Sequence, residues 1–125
     1  MFLEKGRDFS QETYTLRHLG TGQVLATSAE MALTRADRNR GLLGRDHLAP
    51  GHALVLAPCF SIHTGFMRFP FDVIFIKRDG RIVKICPAVP AWRMKVGWGA
   101  YAAIELPAGT MAQTRVKAGD TLELV

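Results

Sequence analysis

Between Pro58 and Ile76 the chain reads PCFSIHTGFMRFPFDVIFI, and four residues capable of chemistry, Cys59, His63, Arg68 and Asp72, are threaded through an apolar run. A polar group in such a run needs a hydrogen-bond partner or a cavity, because burying it unpaired costs about 1–3 kcal/mol. Cys59 and His63 stand four residues apart. An imidazole beside a thiol lowers its pKa and turns it into a nucleophile or a ligand. The plainer reading is a small buried hydrophobe, since Cys59 lies between Pro58 and Phe60 and no third group is spaced to orient the imidazole. His63 with Asp72 forms an alternative general-base pair for a hydrolase or transferase. Zinc would need four ligands, or three and a water. Cys59, His63, His52 and Cys86 reach that number only if the fold gathers them, so no metal and no cofactor is assigned. Asp72 opens an apolar strand, where a buried carboxylate must be paired, either by Arg40, Arg68 or Arg93 or by backbone N–H groups.

The arginines suggest a different chemistry. In RGLLGR, Arg40 and Arg45 bracket a bend that Gly41 and Gly44 permit, and two guanidinium forks there can converge on an anion. The competing reading is a helix C-terminus with basic residues complementing its dipole. Thr64, Met67, Trp92 and Arg93 complete a candidate ligand site with Phe66, Met67 and Trp92 as apolar walls, although a Trp between two irregular segments also serves as a core lid.

These residues have to be positioned by the elements around them. Residues 1–11 lack periodicity and are expected to form a flexible tail. Alternation around Tyr14 and from Val24 to Met31 predicts a hairpin turning near Gly20. Thr34-x-x-Asp37 predicts a helix start, with Arg38 and Arg40 at its end. Ala53 to Ala57 reads as a short buried strand, and Pro58 and Pro70 then interrupt the ladder, which leaves the candidates mostly on a loop. Phe71 to Ile76 is apolar on both alternating faces except at Asp72, as in a strand covered on two sides. Asp79-Gly80 turns the chain into Arg81 to Cys86, and Pro87 to Gly99 forms a second irregular loop. Tyr101 to Leu106 and Thr121 to Val125 are further strands, with at most one helical turn between them. The expected fold is α+β, mostly antiparallel β, as a partly closed barrel-like domain with one or two short helices. Both irregular loops leave the hairpin at the end opposite Asp79-Gly80, so they are expected to meet, with Arg40, His63 and Arg68 facing one cavity.

Composition limits the class. With 48% hydrophobic and 22% charged residues the chain is globular, and its 125 residues suit one domain. The net charge of +5 is concentrated in residues 51–100, which hold seven basic side chains against two acidic ones. That excess can attract an anion or reflect the solvated hairpin around Lys77, Arg78, Arg81 and Lys84. Nucleic acid is disfavoured because the basic residues lack interleaved exposed aromatics. Two cysteines are too few for a disulfide framework, and both are expected to be buried free thiols. No apolar window reaches the length of a membrane span, and the first residues lack a secretory core, so no membrane partner is expected. The chain as written reads as cytoplasmic, or as exported if a signal once preceded it.

Taken in order, RNRGLLGRDHL, APCFSIHTGFMRFPFDVIFIKRDGRIV, PAWR at 90–93, AAIELPAGT and AGDTLEL resemble the DUF192 family of small uncharacterised bacterial and archaeal proteins, over about Val24 to Val125. The resemblance implies one such domain over 12–125, a compact mostly β structure with a short helix, and no established enzymatic activity. The family pattern matches Arg40, Gly41 and Leu42 at the bend, then Met67, Asp72 and Phe75. A bacterial subgroup with an IHT signature adds Cys59, His63, Thr64 and Arg68. Gly65 departs from the pattern where a bulky residue is usual, and PAWR replaces a tighter Pro-Trp-Arg. The function these readings suggest is binding of a small anionic or polar ligand.

Overall fold

The computed structural model describes residues 2–125. Its centre is the strand with the most continuous apolar run. β5 (Phe71–Ile76) buries all six residues and pairs antiparallel with β6 (Ile82–Val89) on one side and β8 (Ala102–Pro107) on the other. Next to β8 come β3 (His52–Leu56), β2 (Val24–Ala32), β1 (Tyr14–His18) and β9 (Leu122–Leu124), giving the order β6-β5-β8-β3-β2-β1-β9. Every pairing is antiparallel except β2 with β3, whose crossover carries α1 (Arg35–Arg40). The sheet curls until its outer strands touch. Arg81 bridges Thr121, Ile82 N–H donates to Asp120 O at 2.8 Å, and Leu122 N–H donates to Gly80 O at 2.9 Å. The barrel is thus closed at one end only.

Alternation along the strands builds two apolar layers. Ile74, Ile76, Ile104, Leu106, Leu122 and Leu124 fill the concave side, whereas Phe71, Val73, Phe75, Leu54, Leu56 and Ala103 form the other layer with Leu42 and Ile62. Cross-strand partners share a face, so Glu105, paired with Val73 and with Leu54, belongs to this second layer.

Several expectations are corrected. Helix is a minor component, limited among the described residues to the six residues of α1 and a 3-10 turn at Met111–Gln113, so the class is mostly β rather than α+β. The Thr34 hydroxyl caps α1 as expected, accepting from Asp37 N–H at 3.1 Å. Among the described residues before β1, several contact the barrel. Phe2 and Leu3 are buried in the concave core, Leu3 N–H donates to Arg78 O at 2.7 Å, and the Arg7 guanidinium donates to Phe2 O and Leu124 O.

The two irregular loops do meet, but as a ladder. β4 (Ser61–His63) and β7 (Met94–Val96) pair antiparallel into a separate ribbon, Ile62 opposite Lys95 and His63 opposite Met94. Each strand is too short to show alternation. Gly97 seats the ribbon on the sheet, because a β-carbon there would lie 2.3 Å from Phe75 Cγ. β6 continues through Pro87 to Val89 because its edge position tolerates a missing donor, and a register shift opposite Asp72 accommodates Ala88 at φ 45.

Candidate functional site

α1, the bend after it and the β4–β7 ribbon all rest on the second apolar layer without filling it. Between them is a cleft of about 660 Å³. One wall is Arg38 to Leu43, the other runs from Pro58 to His63, and Met67, Ala100 and Tyr101 close the end. Leu56 and Glu105 form the floor.

Glu105 is the residue the sequence reading overlooked. It is 5% exposed, and its Oε1 is buried without any hydrogen-bond partner among the described residues. Burial in apolar surroundings pushes its carboxyl up to about 8, against a smaller opposing pull from Arg45, so the acid is mostly protonated at neutral pH. The Gly41 backbone reaches the same spot at φ 47, and a β-carbon there would stand 3.6 Å from Oε1. The reasoning that singled out Asp72 applies equally to Ala102-Ala103-Ile104-Glu105-Leu106, where a lone carboxyl also interrupts an apolar strand.

Four of the expected site residues line this cleft: Arg40, Cys59, His63 and Met67. Arg40 donates to Asp37 Oδ1 at 2.8 Å and is largely exposed. Arg38, which was read only as a helix-end charge, donates to Leu33 O at 2.6 Å and Ala57 O at 3.2 Å and has no acidic partner among the described residues. Cys59 and Cys86 are free. The Cys59 thiol is half-buried and donates to Ser61 O at 3.1 Å. Burial pushes it up, the Ser61 carbonyl bond and Arg38 pull it down, and Glu105 adds to the rise. Its hydrogen bond does not go to His63, so the nucleophile pair is not assembled.

The other six are placed elsewhere. Asp72 is fully buried and accepts from Ala88 N–H at 2.8 Å and Gly109 N–H at 3.3 Å on Oδ1, and from Met111 N–H at 2.8 Å on Oδ2. Three backbone donors take the place of the arginine partner considered for it, and the His63–Asp72 base pair is not formed. Thr64 is also fully buried and is a clamp between loops. Its hydroxyl donates to Pro90 O at 2.6 Å and accepts from Arg93 N–H at 2.8 Å. Arg45 pairs with Glu30 at 3.3 Å and does not line the cleft of Cys59 and His63; with Arg40 it borders a second, smaller pocket beside Gly41, where Glu30 and Asp37 already pair the two guanidinium groups. Arg68 pairs with Asp46 at 2.7 Å and does not share the cavity of Arg40 and His63. Arg93 directs Nη1 at its own loop, 3.3 Å from Trp92 O. Trp92 lies over Gly65, 3.4 Å from where a β-carbon would be, and packs edge-on against Phe66 with ring centroids 4.7 Å apart. Among the described residues no three His, Cys, Asp or Glu side chains are grouped as metal ligands.

The ribbon carries a second surface feature. Phe60, Phe66, Trp92, Met94 and Trp98 are all exposed, and Phe60 and Trp98 also pack together, at 5.8 Å between centroids. Arg93, Lys95 and His63 lie among them. The argument that disfavoured nucleic acid, that exposed aromatics are missing near the basic residues, therefore does not hold. No helix among the described residues is long and apolar enough to cross a membrane.

Two solved structures share the fold. One is a protein of unknown function from Novosphingobium aromaticivorans DSM 12444, with TM-score 0.77 and 23% identity over 87% of this chain and 83% of that one. The other is a candidate transcription regulator from Sinorhizobium meliloti 1021, with TM-score 0.80 and 24% identity over 94% of this chain and 98% of that one. None of the curated proteins matches. A family model matches residues 17–124, most of the described fold including every wall of the cleft, and the chain accordingly belongs to the DUF192 family, whose description is "Uncharacterized ACR".

Proposed function

We propose that the chain is a small-molecule-binding domain and that the cleft above Glu105 receives a ligand with a polar end and an apolar body. The observation that carries this reading is the carboxyl of Glu105, which lines the cleft floor and whose buried Oε1 has no hydrogen-bond partner among the described residues. A fold optimised for stability alone would fill that position with an apolar side chain, because an unsatisfied buried polar atom costs about 1–3 kcal/mol. A bound ligand that hydrogen-bonds the carboxyl removes this cost. Leu42, Leu43, Leu56, Ile62 and Met67 supply the apolar contacts, and Arg38, Arg40 and His63 supply polar ones. A volume of about 660 Å³ falls within the range of ordinary ligand sites. Catalysis by Cys59 is not favoured, since its thiol is raised rather than activated.

The test is a crystallographic fragment soak. Density is expected in the cleft with a polar fragment atom within hydrogen-bond reach of Glu105, and it should disappear in a folded Glu105→Leu variant. Fragments found only at other surfaces, or unchanged in the variant, contradict the reading.

A further inference from the structure

Resting on that reading, we infer that the ligand is an organic carboxylate, which accepts a hydrogen bond from the Glu105 carboxyl while Arg38 supplies the countercharge. Of the guanidinium groups around the cleft, Arg40 is matched by Asp37 and Arg45 by Glu30. Arg38 donates to two backbone carbonyls and has no acidic partner among the described residues, so its charge is not matched there. Arg38, Cys59 and Glu105 all line the same cleft, so the guanidinium and the carboxyl face one volume.

With Glu105 neutral the cleft holds one unmatched cation and one unused O–H donor. A monoanion with an acceptor oxygen satisfies both. The bond from a carboxylic acid to a carboxylate is charge-assisted and short, among the stronger hydrogen bonds available to a side chain. An ammonium ion would need Glu105 ionised and would face the unmatched Arg38 charge. A neutral amide could use Glu105 but would leave Arg38 uncompensated.

The other charged and titratable groups around Glu105 are Arg38 and Arg40 from α1, Arg45 across the bend, Cys59 before β4, His63 on it and Tyr101 before β8. β3 and β5 place only Leu54 and Val73 beside it. Carboxylate binding requires the protonated acid, whose fraction falls about tenfold between pH 7 and pH 9 for a carboxyl near 8. Affinity should fall by the same factor.

The experiment titrates the full chain with hexanoate, hexanamide and hexylamine, following the methyl NMR signals of Leu42, Leu56 and Ile62 at pH 7 and pH 9. Hexanoate is expected to bind, at least tenfold more tightly than the amide, with affinity about tenfold weaker at pH 9. In Glu105→Gln, which keeps a donor without a titrating proton, hexanoate should still bind and the pH dependence should vanish. His63→Gln should leave that dependence in place, and Arg38→Met should abolish the preference for acid over amide. Hexylamine binding as tightly as hexanoate, equal affinities for acid and amide, or a hexanoate affinity independent of pH would overturn the carboxylate assignment and leave the cleft as a site. If none of the three compounds perturbs these methyls, both the assignment and the cleft reading fail.

Discussion

Two carboxyl residues, each alone in an apolar strand, have opposite environments. Asp72 is surrounded by backbone donors, whereas Oε1 of Glu105 meets none among the described residues. Strand patterning announces that a polar residue enters the core; it does not show whether a turn 37 or 39 residues later will supply amides to it, as Gly109 and Met111 do for Asp72. Raised to about 8 from an ordinary 4.5, Glu105 is a group whose folded form holds its proton more tightly than the unfolded chain. Its contribution to stability is thus complete below about pH 4.5 and is lost as pH rises toward 8. Wild type should lose stability relative to Glu105→Gln across that window, by at most about 1.4 kcal/mol per pH unit, and the two should run parallel above it. Urea unfolding at pH 5, 7 and 9 measures this, and parallel curves throughout would mean that Glu105 is not held neutral. For Cys59, alkylation of the native protein should show a midpoint above that of a free thiol. An acidic midpoint would restore the nucleophile reading.

At the scale of elements, the hairpin of β1 and β2, the capped α1 and the doubly covered β5 were all legible, because each rests on local periodicity or on a capping residue. The ribbon was not. Its two strands have three residues each and are held by pairing across 30 or so positions of sequence and by the space Gly97 leaves over Phe75. What positions the ribbon is therefore tertiary: Thr64 clamps its two loops together, whereas Asp72 ties β5 to β6 and to the turn at Gly109. Replacing Asp72 with Ala strands three N–H groups, that of Met111 buried and those of Ala88 and Gly109 partly so, and should cost on the order of 3 kcal/mol in urea unfolding. A variant as stable as the parent would show that β6 and the turn at Gly109 do not depend on it. The exposed aromatics behave differently. Trp98→Ala should cost no more than about 1 kcal/mol, since 77% exposure leaves little burial to lose. A larger loss by the same measurement would make the Phe60–Trp98 pair part of the fold.

In the molecule as a whole, the positive charge visible in residues 51–100 divides between the hairpin end, the ribbon and ion pairs such as Arg68 with Asp46, and it does not form one anion site. The cleft depends instead on three chain segments that are remote in sequence: the α1 bend, the ribbon and β8. Two of them were legible as candidates; the third, carrying Glu105, read as plain core because its partners are set by strand order. The account rests on that carboxyl being neutral, without a partner and reachable by a ligand. The direct measurement is the pH titration of the Glu105 side-chain carboxyl by ¹³C NMR, in the free protein and with hexanoate. A midpoint near 8 in the free protein, moving higher when hexanoate binds, is the predicted result. A midpoint in the ordinary carboxylate range, unmoved by hexanoate, would contradict it.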